Sequence, residues 1–199
     1  MSKPWVSSIT QKGELTVYNG LKSGAWVNIF KSALEAFNQL KLPVKMTAVA
    51  SEQSANVVMR VSIGPTTFDY GGSSYPGPTL DPSRLHGRTR FFGGDDGTDK
   101  AAVFLPSDPK SGPMFRGGRD VYEKASLDMM KVIAVHELIH ACGLDNDDHA
   151  TDDGVFYFPL GPDGKGKIVV PRKGLDNKPM PPIRISASTT GKVGSLWGS

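Results

Sequence analysis

The chain has 199 residues, a single cysteine and a net charge of +3. That length fits one domain, the charge is too small to argue for a nucleic-acid partner, and one thiol cannot build an internal disulfide framework. No apolar run follows the N-terminus or reaches membrane-spanning length, so neither a standard export signal nor membrane contact is expected. Its compartment stays unknown, with a phage particle or release by a non-standard route among the options.

Residues 13–20 alternate between glycines and predict a first strand. In residues 25–40, Trp26, Ile29, Phe30, Ala33, Leu34, Phe37 and Leu40 recur at three- and four-residue steps, the pattern of one buried helical face, and Pro43 marks its end. Residues 44–50 and 55–62 predict two more strands around a polar turn at 51–54. Residues 63–97 are dense in Gly and Pro and predict a long loop, with His86 a solvated histidine inside it. Residues 100–106 predict a short edge strand terminated by Pro106, and residues 107–118 another loop.

The chemistry concentrates in residues 131–149. A helix is expected from about Ser126, with neither Pro nor Gly before Gly143, which ends it. His136 and His140 are four residues apart, about 400° around a helix, so both imidazoles project from one face toward one metal ion. Glu137 sits where it can act on a metal-bound water. Cys142 reads as a small buried thiol. The acidic residues Asp145, Asp147, Asp148, Asp152 and Asp153 match no EF-hand spacing and read as a solvated loop.

Further on, residues 156–160 and 167–171 flank a Gly-rich turn and predict a hairpin. Pro179, Met180 and Pro181 lie in a tight turn. Ser186 or Ser188 caps a short last helix through Leu196 and Trp197.

The order of elements, with His136, Glu137, His140 and Gly143, resembles the metzincin clan of zinc endopeptidases, whose signature is H-E-x-x-H-x-x-G-x-x-H followed by a methionine-containing turn. The resemblance covers most of the chain in layout and is specific in residues 132–149. It departs from the clan at the third ligand: the clan's position holds Asn146, and His149 arrives three residues later. Imidazole is the better zinc ligand, so His149 is the expected third one. Asn146, Asp145 and Asp148 stay open as alternatives. Asp147 and Asp148 suit the small extra turn that His149 would need.

The resemblance implies an α+β, zincin-like fold: a twisted mixed sheet of about four to five strands, a backing helix, an active-site helix and a small irregular C-terminal subdomain. One catalytic domain is expected over residues 1–199, with subdomains 1–143 and 144–199. Zn2+ would be held by His136, His140 and His149, with Glu137 as general base to a metal-activated water and then proton donor to the leaving amine. Met180 would form the methionine turn beneath the metal, and Tyr157 is a candidate donor to the transition state. The expected partner is a polypeptide lying extended along the 100–105 edge strand, with no nucleic acid, no membrane and a monomeric chain. The alternative is a structural or binding protein, such as a virion or adhesion component, that keeps the fold without the activity.

Overall fold

The computed structural model describes residues 2–22, 24, 26–63, 67–80, 87–110, 114–116, 119–121, 124–145 and 183–198. Elements run in the order α1 (Ser7–Thr10), β1 (Glu14–Asn19), α2 (Trp26–Gln39), β2 (Lys45–Val49), β3 (Val57–Ser62), β4 (Thr67–Tyr70), β5 (Ser73–Pro76), β6 (Arg88–Gly94), β7 (Gly97–Pro106), β8 (Met114–Arg116), β9 (Arg119–Val121), α3 (Leu127–Ala141) and α4 (Ala187–Trp197). The class is mixed α+β. Its main sheet has five strands in the order β2-β1-β3-β7-β6. β2, β1, β3 and β7 are parallel neighbours, and β6 closes one side antiparallel to β7.

Period-two alternation sends each strand's side chains to two different cores. Val57, Met59, Ala101, Val103 and Leu105 join α2 and α3 in the larger one. Val58, Ala102 and Phe104 point the other way, where Phe68 of the β4–β5 hairpin and Phe92 stack with ring centres 4.7 Å apart. α2 buries the predicted face, Trp26 through Phe37, and the Trp26 indole donates to the Pro106 carbonyl at 2.7 Å.

α3 has no polar face. Beyond its exposed first turn, residues such as Met129, Val132, Val135, Leu138 and Ala141 are buried around most of its circumference, which marks a helix packed on more than one layer. Ser126 caps its first turn, accepting from the Met129 amide at 3.2 Å. At the far end Gly143 takes φ 107°, open to glycine and strained for other residues. A Cβ there would also meet the Lys3 carbonyl oxygen at 2.7 Å.

Both ends of the described chain come to this helix terminus and satisfy its last carbonyls. The Trp5 indole donates to the Ala141 carbonyl at 2.8 Å, the Trp197 indole to Cys142 at 2.9 Å, and the Lys3 amide to Gly143 at 2.8 Å. α4 begins at Ser186, one of the two predicted caps, whose hydroxyl accepts from the Thr189 amide at 3.1 Å.

Three expectations are corrected. Residues 63–97 are not a structureless loop: they contain the β4–β5 hairpin and β6. The strand over residues 100–106 is not an edge. As part of β7 it pairs with β3 on one side and β6 on the other, so on that side β6 is the edge strand among the described residues. Pro106 still ends it, because it supplies no amide to continue the ladder. The expected loop over residues 107–118 likewise includes β8, which pairs with β9. No helix among the described residues is long and apolar enough to cross a membrane.

Candidate active site

His136 and His140 lie on the last two turns of α3, as their spacing requires, with Nε2 atoms 3.0 Å apart. Two nitrogens bound to one tetrahedral zinc ion would be about 3.3 Å apart, so the pair is already close to a ligand arrangement. The other face of the His140 ring fixes its tautomer. Nδ1 is 3.0 Å from the Leu144 carbonyl, and a carbonyl only accepts, so Nδ1 carries the hydrogen. In the neutral ring Nε2 is then a lone pair aimed at His136, the form that a metal ligand needs. The donor chemistry of the two rings therefore fits a zinc ion.

Glu137 is buried. The Thr89 hydroxyl donates to its Oε2 at 2.8 Å and also lies 3.0 Å from its backbone carbonyl. Oε1 stands 4.0 Å from His136 Nε2, so one oxygen is held by β6 and the other faces the imidazoles. Burial pushes this carboxyl up from 4.5 to about 7 in the metal-free chain, opposed by hydrogen bonds from Thr89 and the Gly87 backbone and by the charge of Arg88. At Gly87 the chain passes close to the carboxyl: a Cβ there would meet Glu137 Cγ at 2.6 Å and the Phe104 carbonyl oxygen at 2.8 Å.

These groups open into a cleft of about 960 Å³ that runs along β6, whose outer side pairs with no strand among the described residues. His136, Glu137 and His140 line one wall, while Tyr75, Leu80, Arg88 and Arg90 contribute to the other. Cys142, two residues beyond His140, is fully buried, and burial pushes its thiol far up, so it stays protonated and inert.

Of the residues singled out in the sequence, His136, Glu137 and His140 come together here. Among the described residues no set of three His, Cys, Asp or Glu side chains is assembled for a metal ion. Asp145 lines the cleft. His149, Asn146, Asp147, Asp148, Asp152, Asp153, Tyr157, Met180, His86 and the 156–171 hairpin lie outside the described residues, as does most of the expected C-terminal subdomain. Thr89, Gly87 and Arg88 are site residues that sequence reasoning missed. A signal was present: Thr89 and Phe91 alternate with Arg88 and Arg90, just ahead of the Asp95-Asp96-Gly97 turn.

No family model matches the sequence, and no curated protein matches it. Among solved structures it is similar to high choriolytic enzyme 1, a hatching-enzyme zinc protease from Oryzias latipes (medaka fish). The TM-score is 0.40 at 15% identity, over 100% of this chain and 99% of that one. At that identity and score the likeness assigns neither fold nor activity to this chain.

Proposed function

We propose that the chain is a zinc-dependent endopeptidase of the metzincin type, built on a zincin-like fold. One observation carries this: a buried carboxyl, fixed by Thr89 of β6, sits beside two imidazoles whose Nε2 atoms converge to 3.0 Å. Burying a carboxylate is costly, and two rings hydrogen-bonded to each other do not need one nearby. A metal-assisted hydrolase needs all three.

His136 and His140 would hold the ion, with His149 as third ligand. Bound zinc would supply a Lewis acid that lowers the pKa of water toward neutrality and polarises a carbonyl. Glu137 Oε1, the oxygen facing the imidazoles, accepts the proton of the attacking water and returns it to the leaving amine. A carboxyl tuned toward neutrality suits both transfers. Thr89 and Gly87 keep Oε2 occupied, so the carboxyl presents one oxygen in one orientation. The scissile segment lies extended along β6, whose outer side pairs with no strand among the described residues, rather than along β7, which is paired on both sides.

The test is cleavage of casein or gelatin, lost with 1,10-phenanthroline and restored by zinc. A zinc-loaded protein that cleaves no polypeptide would refute the proposal and leave a binding protein on this fold.

Thr89 is expected to act as a positioning residue. Thr89→Val should lower kcat roughly 10–100-fold with zinc content and KM little changed, and Thr89→Ser should restore most of it. Equal loss in both variants would point to packing instead.

The third ligand is decided by a pair of variants. His149→Ala should lose zinc affinity while Asn146→Ala keeps it. The reverse result would place the ligand at the clan's usual spacing and remove His149 from the site.

A further inference from the structure

We propose that the free edge of β6 selects polypeptide segments with acidic side chains at alternate positions, taken by Arg88 and Arg90 on the sheet face opposite Glu137. This rests on the endopeptidase reading for the site's use, but the recognition itself does not depend on catalysis.

The faces of β6 are fixed by its neighbours. Thr89 touches Glu137 and Phe91 packs with the core around α3, so the odd-numbered positions face the active-site helix. Phe92 packs with Phe68 and Phe104 on the other side. Arg88 and Arg90 share that second face, roughly 7 Å apart along the strand. Both line the cleft, and Tyr75 and Leu80 form its apolar flank.

Neither arginine is neutralised. Among the described residues, no carboxylate ion-pairs with Arg88 or Arg90. Arg90 donates to the Pro76 carbonyl, which holds the guanidinium against β5 without cancelling its charge. Arg88 is exposed, and its field reaches Glu137 without a direct bond. Nearby acids are committed or turned elsewhere. Asp99 accepts from the Tyr70 hydroxyl at 2.6 Å, while Asp95 and Asp96 sit at the β6–β7 turn, beyond the far end of β6 from Arg88.

A peptide adding to this edge continues the pleat, so every second side chain falls on the arginine face. Opposite charges on neighbouring strands attract, and guanidinium forks match carboxylates. Lysine at those positions would meet like charge. The intervening side chains face the α3 wall of the cleft and are left unselected by this pair.

The experiment measures binding apart from cleavage. Zinc-loaded Glu137→Gln protein is titrated with labelled decapeptides carrying Glu, Gln or Lys at two alternate positions. The Glu peptide should bind about tenfold tighter than the Gln peptide, with the Lys peptide weakest. In that background Arg88→Glu with Arg90→Glu should invert the order. Arg88→Gln with Arg90→Gln, the milder pair should the first not fold, should flatten it. Equal binding of the three peptides, or a preference that survives in the glutamine pair, would overturn the proposal. The same peptides offered to the wild-type protein separate the two claims: charge-dependent binding with no cleavage would refute the endopeptidase, and cleavage indifferent to charge would refute the recognition.

Discussion

Glu137→Ala should lower peptide hydrolysis by roughly 10²–10⁴-fold, the range of a lost general base, while zinc stays bound at about one equivalent. The separation of the two readouts follows from geometry. His136 and His140 meet through Nε2, and Glu137 presents Oε1 to the same space from 4.0 Å without joining the pair. A ligand lost would take the metal with it; a base lost should not. The substitution also removes a buried carboxyl whose ionised form burial disfavours, so the variant should fold at least as well as the parent at neutral pH. Near-normal turnover in a correctly loaded variant would remove Glu137 from the mechanism. His136→Ala and His140→Ala serve as the contrast, since each should lose zinc together with the folding energy that binding provides.

Trp5→Ala should destabilise the protein by about 3–5 kcal/mol, the usual range for truncating a buried tryptophan. That is a large share of the roughly 5–15 kcal/mol that holds a domain folded. Trp5 is buried in the larger core, and its indole is the partner of the Ala141 carbonyl. Truncation leaves a cavity and an orphaned acceptor at the end of the helix that carries His140, so zinc affinity should fall along with the urea midpoint. Trp5→Phe fills most of the space but has no N–H, and should cost about 1 kcal/mol, isolating the hydrogen bond. A stability loss with unchanged zinc affinity would mean that the N-terminal segment supports the fold without supporting the site.

Local pattern made much of the scaffold legible in advance. Alternation gave the first three strands, helical spacing gave α2 and its buried face, and a stretch from Ser126 free of Pro and Gly, ended by Gly143, bounded α3. The two histidines and Glu137 needed only the geometry of a helix. What failed was whatever depended on distant partners. β6 has an alternating stretch, but surrounding glycines and prolines masked it. Whether β7 or β6 forms the edge depends on which strands pair, and an edge strand carries no residue pattern of its own. Thr89 becomes a site residue only because β6 lies beside α3, a contact across 48 positions. Likewise, no local signal announces that Trp5 reaches Ala141.

Cys142 gives the helix terminus a built-in timekeeper. It is the only thiol in the chain, it is fully enclosed, and its S–H points back to the Leu138 carbonyl at 3.5 Å. A thiol reagent can reach it only when the segment beneath the two tryptophan caps opens. Its labelling rate therefore counts excursions of one spot, two residues from His140, without any engineered tag. Where reclosing outruns the reagent, the rate reports the free energy of opening; at high reagent concentration it reports the opening step itself. Zinc clamped between the last two turns should slow that clock, so metal binding can be followed at a position that never touches the metal.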